Sequence, residues 1–496
     1  MLLAAAAGAL HSLPATWPQA WPLQLACVAL LAWLVRRAGP WRAAGLGLAF
    51  GTAWLVAATW WLYISLHRYG GLPAWLTVLA VGLLCAFLSL YLALAMALYA
   101  RWRGGGSGAW LFAAGWLLAE LARGVIFTGF PWAASGYAHV DSPLAVLAPW
   151  LGVYGIGAAS ALLAAWAAAA WERRRRAALI GVAALLAAGA AIGAQRMAAW
   201  QSFTQATGTL QLSLLQGNVA QEEKFALEHL PQALGWTREH LLAARGDLVL
   251  APETVIPLLP DQLAPDYWLA LVEHFQSGPT AALFGMPQGS EAAGYTNSAI
   301  GLGSQTTTLP GGQYRYDKHH LVPYGEFIPL GFRWFTELMN IPLGDFNRGP
   351  LVAPSLRVKG ERVAPNICYE DLFGEELAAR FADPAGAPTI LANISNIGWF
   401  GDTIAIAQHL HISRLRTLEL QRPMLRATNT GATAIIDHQG RVTHSLPPYT
   451  QGVLEGSVEG REGLTPFARW ASVAGLWPPF VVAVFIIAVA AVRRRR

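Results

Sequence analysis

Seven apolar stretches crowd the first 200 residues and an eighth closes the chain, and their length constrains the fold more than any motif does. They run Leu2–Thr16, Trp21–Val35, Trp41–Leu62, Ala74–Ala100, Ala109–Thr128, Ala145–Trp171, Ala177–Ala194 and Ser472–Val492. A helix needs about 20 apolar residues to cross a bilayer, so the first stretch is short and most of the others are adequate. Residues 1–200 hold twelve Arg, no Lys and three acids, Glu120, Asp141 and Glu172. The arginines mark alternate exits: Arg36, Arg37 and Arg42 after the second stretch, Arg101 and Arg103 after the fourth, Arg173 to Arg176 after the sixth, Arg493 to Arg496 after the last. Basic residues collect in cytoplasmic loops. The pattern predicts an α-helical transmembrane bundle of about eight spans, with both termini cytoplasmic and everything between the seventh and eighth spans on the outer face. Parity requires the short first stretch to cross as well, and it lacks the basic flank of a signal peptide. The net charge of +5 sits at these exits, so it is no nucleic-acid footprint.

Three regions follow: a transmembrane part over 1–200, a soluble domain over 201–465, and a closing span with a basic tail over 466–496. The soluble part alternates strand and helix patterns. Strands are expected at Leu210–Gln216, Asp247–Ala251, Ala281–Met286, Arg362–Ile367, Thr389–Ile394, Arg426–Thr428 and Ala432–Asp437, with a hairpin over Tyr295–Leu302 and Thr306–Leu309. Helical patterns cover Glu222–Ala244, Trp268–Phe275, the stretch from Glu370 to Phe381, and Gln408–Leu420. Alternation of this kind predicts an α/β domain of at least two layers.

Three chemically complementary residues end strand-like runs: Glu253 after Asp247–Ala251, Lys318 after Tyr314–Asp317, and Cys368 after Arg362–Ile367. Side chains at strand carboxyl ends converge on one edge, where α/β proteins do their chemistry. A thiol of ordinary pKa, about 8.5, is mostly protonated at neutral pH and needs a base or a cation to act as a nucleophile. Glu253 can take the proton, and Lys318 can stabilise a thiolate or an oxyanion. Each residue also has a plainer reading: Cys368 as an inert core thiol, Glu253 as a helix cap, Lys318 as a surface charge. Two facts weigh against these. Cys27 and Cys85 lie in apolar stretches and leave Cys368 without a disulfide partner on an oxidising face. Lysine is scarce, with only Lys224, Lys318 and Lys359 in the chain.

Elsewhere the sequence argues against other classes. Lys318-His319-His320 and His409-x-His411 lack the spacing of a zinc site, and no phosphate-binding glycine loop, dinucleotide fingerprint or G-x-S-x-G elbow is present. No metal or cofactor is expected. Glu120 and Arg123, three apart in an apolar stretch, read either as a functional intramembrane pair or as a local ion pair.

At its polar motifs the chain resembles the nitrilase superfamily, and within it the membrane-embedded apolipoprotein N-acyltransferases. The matching segments are P-E-T-V-I-P at 252–257, Y-D-K-H-H-L-V-P-Y-G-E-F-I-P at 316–329, I-C-Y-E at 367–370, N-I-S-N-x-G-W-F-G-D at 393–402, Q-H-L at 408–410 and R-A-T-N-T-G at 426–431. The resemblance implies an αββα sandwich carrying a Glu253–Lys318–Cys368 triad, with Glu326, Tyr369 and Glu370 in support. It also implies a ping-pong reaction in the bacterial inner membrane. Cys368 would take an acyl chain from the sn-1 ester of a phospholipid such as phosphatidylethanolamine. It would then pass that chain to the α-amine of a diacylglyceryl-cysteine at an apolipoprotein N-terminus. The catalytic domain would be periplasmic and the enzyme a monomer. Ala251 stands where the family commonly has Trp, and Ile397 where it commonly has Asp. The alternatives are a membrane-anchored amidase that delivers water to small amides, and a binding or transport protein with a relic domain.

Overall fold

The computed structural model of the protein describes residues 1–104, 108–172, 202–224, 226–329, 331 and 345–495. The chain packs as two units. One comprises Met1–Tyr63, Pro73–Ser202 and Ala474–Arg496; the other comprises Ile64–Leu72 and Phe203–Val473.

The first unit is helical. Among the described residues five helices are long and apolar enough to cross a membrane: Pro18–Val35, Ala74–Trp102, Gly108–Thr128, Pro143–Trp171 and Trp477–Arg494. Pro40–Thr59 and Leu62–Tyr69, bent by 65° at their junction, make a sixth if taken together. Leu2–Ala15 is a shorter apolar helix. The expected span Ala177–Ala194 lies outside the described residues. Small residues let helices approach closely, as in membrane bundles generally. A Cβ on Gly8 would fall 2.0 Å from the Phe50 carbonyl oxygen, so Leu2–His11 lies in backbone contact with Pro40–Thr59. Glu120 accepts hydrogen bonds from the Ser135 amide at 2.7 Å and hydroxyl at 3.0 Å, and pairs with Arg123 at 3.4 Å. The Arg123 guanidinium lies 4.8 Å from the Trp54 ring centroid. Both residues are buried, and the pairing is compatible with either reading of them.

The second unit holds fourteen strands among its described residues: β1 Thr204–Gln216, β2 Leu248–Leu250, β3 Ala281–Gly285, β4 Gln288–Ser290, β5 Gly294–Thr296, β6 Ser298–Leu302, β7 Tyr314–Asp317, β8 Leu356–Val358, β9 Glu361–Ile367, β10 Ile390–Ser395, β11 Met424–Thr428, β12 Ala434–Ile436, β13 Val442–Ser445 and β14 Gly452–Gly463. They form two six-stranded sheets, ordered β14-β1-β2-β3-β6-β7 and β13-β12-β11-β10-β9-β8, and a two-stranded ribbon β4-β5. β1, β2 and β3 run parallel, as do β9, β10 and β11. β3 and β7 both run antiparallel to the intervening β6, so β7 points the same way as β3. The carboxyl ends of β2 and β7 therefore share one edge of the first sheet, and those of β9 and β10 one edge of the second.

Side chains alternate across each sheet, and the alternation assigns the layers. Leu212, Leu214, Leu250 and Leu283 of the first sheet share one core with Val363, Ile367, Ile394 and Leu425 of the second. On the other face of the first sheet, Val249, Ala282 and Phe284 pack with Tyr267, Leu271 and Phe275 of helix Pro265–Ser277. On the other face of the second, Ala364, Leu391 and Met424 pack with Leu377 and Ala378 of helix Gly374–Ala379 and with Phe467 and Ala471 of helix Pro466–Ala474. Each such Leu, Val or Phe contributes about 1.5–3 kcal/mol relative to an exposed position.

Segment Ile64–Leu72 belongs to this unit although it lies in sequence between membrane-type helices. Tyr69 meets Trp399 edge-on with ring centroids 5.4 Å apart, and Arg68 pairs with Glu222.

Three sequence expectations change. Thr306–Leu309 forms no strand: the Thr306 hydroxyl accepts the Gly303 N–H at 3.2 Å and donates to the Gly312 carbonyl at 3.0 Å, closing a turn, and β6 pairs with Tyr314–Asp317 instead. The helix expected over Glu222–Ala244 is confined to Leu230–Ala243, with Pro231 in its first turn. The helix expected directly behind Cys368 is a 3₁₀ turn, Cys368–Leu372, ahead of the six-residue helix Gly374–Ala379.

One glycine ties the first sheet to the loop that carries Glu253. A Cβ on Gly285, at the end of β3, would lie 2.3 Å from the Thr254 nitrogen and 2.6 Å from the Glu253 Cα. Gly285→Ala must push that backbone aside, and overpacking of this kind costs about 1–3 kcal/mol. The expected result is a lower thermal unfolding midpoint for the full chain in detergent; an unchanged midpoint would show that the loop yields freely.

Candidate active site

Glu253, three residues beyond β2, is 7% exposed and collects hydrogen bonds on both carboxylate oxygens. Oε1 accepts from Asn297 Nδ2 at 2.8 Å and from Lys318 Nζ at 3.5 Å; Oε2 accepts from the Asn396 amide at 2.8 Å. Asn396 follows β10, so this bond joins the two sheets. Thr254, next in the chain, has φ +50°.

Lys318 follows β7 and is 1% exposed. Its Nζ donates to Glu326 Oε1 at 2.9 Å as well as to Glu253. Asn297 bridges the two carboxylates, donating also to Glu326 Oε1 at 2.7 Å. Glu326 Oε2 accepts the Val322 N–H at 2.8 Å, in a tight loop whose Tyr324 has φ +62°. Burial opposes the charge on Lys318, but Glu326, Glu253 and Cys368 outweigh it and hold the ammonium above the ordinary lysine range.

Cys368 follows β9, is half-buried and has φ +53°. A left-handed non-glycine costs about 1–3 kcal/mol and persists only where its surroundings enforce it. Burial pushes its thiol well above the ordinary value, and Glu253 and Glu326 push the same way, while Lys318 and the Asn396 amide act in the opposite sense. The sulfur thus sits among Glu253, Glu326 and Lys318, whose effects on it oppose one another.

The remaining expected residues lie beside this group in a different capacity. Glu370 accepts from the Tyr316 hydroxyl at 2.8 Å, the His319 amide at 2.7 Å, the His320 amide at 3.1 Å and the Ile367 amide at 2.6 Å. It braces the loop carrying Lys318 against the strand carrying Cys368. Tyr369 is buried, with its ring 5.3 Å from Phe373 and 5.7 Å from His320. Ala251 is fully buried in the core on the outer face of the first sheet, and Ile397 lies against Gly431, where an added Cβ would meet it at 2.5 Å.

Four side chains in this neighbourhood escaped the sequence reading. Asn297 has no motif around it. Asn396 and Asn429 sit inside quoted motifs, but their role is visible only in space: Asn429 donates to Asn396 at 3.2 Å and to the Val219 carbonyl at 2.8 Å, and Asn396 donates to Gln221 at 2.8 Å. Lys224 did leave a signal, being one of the chain's three lysines. It is 5% exposed and donates to the Glu253 carbonyl at 3.0 Å. Burial lowers its amine to about 8, against the pull of Glu253 and Cys368. Among the described residues no three His, Cys, Asp or Glu side chains are grouped to hold a metal.

A thiol, a carboxylate base and an ammonium in one buried hydrogen-bonded setting can carry out acyl transfer through a covalent thioester. The fold is an α/β domain of two six-stranded sheets in a chain that also holds several helices long and apolar enough to cross a membrane. Residues 212–464 match the carbon-nitrogen hydrolase family, and residues 7–166 match the apolipoprotein N-acyltransferase N-terminal domain. The chain is 53% identical to the apolipoprotein N-acyltransferase of Verminephrobacter eiseniae, over 95% of this chain and 92% of that one. It is 47% identical to the apolipoprotein N-acyltransferase of Ralstonia nicotianae, over 100% of this chain and 93% of that one. The chain belongs to the apolipoprotein N-acyltransferase family, and it is an acyltransferase.

The direction of the thiol shift has a measurable sign. Alkylation of Cys368 by iodoacetamide should rise with pH to a midpoint above that of an ordinary thiol, about 8.5. Lys318→Met, which removes the favourable charge, should move that midpoint higher still. A midpoint below 8 in the unmodified protein, or a downward move in the variant, would contradict the electrostatics described.

Proposed function

We propose that the enzyme transfers an acyl chain from the sn-1 position of a phospholipid to the N-terminal α-amine of diacylglyceryl apolipoproteins, by a ping-pong route through a thioester on Cys368. The observation that carries this reading is the buried group in which Lys318 bonds to both Glu253 and Glu326 while all three charges act on the Cys368 thiol.

In the first half-reaction Glu253 takes the thiol proton as sulfur attacks the ester carbonyl. Concerted transfer suits a thiol whose pKa is raised, because no free thiolate has to accumulate. Lys318 stabilises the oxyanion of the tetrahedral intermediate. Collapse breaks the ester C–O bond; the lysophospholipid alkoxide takes the proton back from Glu253, and the acyl group stays on sulfur. In the second half-reaction the neutral α-amine attacks the thioester. Glu253 accepts the amine proton, the C–S bond breaks, and the departing thiolate takes that proton from Glu253, which restores the thiol and the carboxylate. Glu326 and Asn297 keep Lys318 and Glu253 in place through both halves, with Tyr369 and Glu370 supporting the loop and strand behind them. No cofactor or metal enters the scheme. Exclusion of water from the buried group protects the thioester from hydrolysis.

The same reading takes the chain as an eight-span inner-membrane protein with an αββα catalytic domain over 201–465 in the periplasm, both termini in the cytoplasm, acting as a monomer on phosphatidylethanolamine. The alternate basic exits support this topology. Two lipid-anchored substrates explain why the hydrolase-type domain is joined to so many apolar helices, where an amidase of soluble substrates needs one anchor at most.

Intact-mass measurement tests the chemistry. Purified enzyme incubated with phospholipid should gain one fatty acyl chain, Cys368→Ala should gain none, and a diacylated lipopeptide should discharge the adduct as it becomes triacylated. Acylation of the Cys368→Ala protein would overturn the assignment of the nucleophile. Turnover of small amides with no acyl adduct would favour the amidase.

A further inference from the structure

His409 is buried behind Cys368 in a cluster that the proposed chemistry does not use. Its Nε2 lies 2.9 Å from Asp371 Oδ1 and 3.2 Å from the Cys368 carbonyl oxygen. Its Nδ1 lies 3.1 Å from Arg426 Nη2. A guanidinium only donates, so Nδ1 accepts and Nε2 carries the proton, shared between a carboxylate and the Cys368 carbonyl. Asp371 in turn pairs with Arg426 at 3.1 Å and accepts from the Ser413 hydroxyl. His409, Asp371, Arg426 and Ser413 are each at most 1% exposed. They come from three elements: the 3₁₀ turn begun by Cys368, helix Ile404–Leu420, and β11. From the neighbouring β10, Asn393 Nδ2 donates to the same carbonyl at 3.2 Å.

Two side-chain donors thus meet on the carbonyl of the one residue that must hold a left-handed φ of +53° while carrying the reactive sulfur. Rotating that peptide back to a relaxed conformation breaks both bonds and strands a proton donor and a carbonyl in the interior, where unpaired polar groups are disfavoured. We propose that His409, held in one tautomer and orientation by Asp371 and Arg426, is a positioning residue that locks the Cys368 peptide and so aims its sulfur at the acyl carbonyl. The proposal rests on Cys368 being the nucleophile.

An amide pair separates positioning from packing. The amide nitrogen of Gln extends to the place of Nε2 and has two protons for the two acceptors, whereas that of Asn stops near the place of Nδ1. His409→Asn should slow single-turnover acylation at saturating phospholipid by about 10- to 100-fold, the usual cost of a misplaced reacting group. Its dependence on phospholipid concentration should not change, and His409→Gln should recover most of the rate. Equal rates for the two variants, or a loss seen only in the concentration dependence, overturn the proposal. Should His409→Asn give no folded protein, His409→Gln decides alone, and a loss of more than about 10-fold in it counts against the anchor. An acyl adduct on Cys368→Ala refutes the nucleophile itself, whereas adducts on Cys368 with indistinguishable Asn and Gln variants refute only the role of His409.

Discussion

A buried ammonium between two carboxylates is the constraint from which the α/β unit's architecture follows. Lys318, Glu253 and Glu326 are each less than a tenth exposed. Charges so placed are tolerable only when paired and fully hydrogen-bonded. The pairing cannot be completed within one sheet. Glu253 on the first sheet takes an N–H from Asn396 on the second, and Glu370 on the second takes N–H and O–H groups from His319, His320 and Tyr316 on the first. These two reciprocal contacts fix the register of the sheets at the edge where their parallel strands end. The shared core of Leu, Val and Ile holds the sheets together, but apolar contacts alone tolerate sliding; the carboxylates do not.

Three strained residues lie around the same edge. Thr254, Tyr324 and Cys368, all non-glycine residues with φ between +50° and +62°, flank or carry the groups described. Thr254 and Tyr324 are close in sequence to Glu253 and Glu326, and Cys368 itself follows β9. The chain accepts local cost here because the surrounding hydrogen bonds over-determine the conformation.

Much of this was legible in advance. Glu253, Lys318 and Cys368 could be picked out because each ends a strand-like run, because the chain has only three lysines, and because Cys368 is the one cysteine outside the apolar stretches. The membrane-type helices were legible for an equally plain reason, since length and apolarity are additive along the chain. What escaped depended on tertiary contacts. Asn297 looks like any loop asparagine until Glu253 and Glu326 are both beside it. β14 was missed because glycines at 452, 456, 460 and 463 interrupt its pattern; its pairing with β1 over almost the whole of both strands supplies what the side chains do not. The helix expected from Glu222 onward gives way at its start to turns in which Lys224 is drawn inward to the Glu253 carbonyl, a long-range contact overriding local propensity. The 3₁₀ turn at Cys368 likewise reflects Glu370 and Asp371 being engaged by distant partners and not by a helix of their own.

Segment Ile64–Leu72 bears on how such a chain can be divided. Had the enzyme arisen as two modules joined end to end, each would be complete on its own side of a single cut. Here nine residues encoded among the apolar helices are part of the body of the α/β unit, with Tyr69 against Trp399 and Arg68 against Glu222. A fragment beginning at Phe203 would therefore lack a piece of its own wall, and the loop after Asn396, whose amide serves Glu253, would lose the aromatic neighbour that covers it. The two units are thus interleaved in sequence, and a single cut in the chain cannot separate them as each stands here.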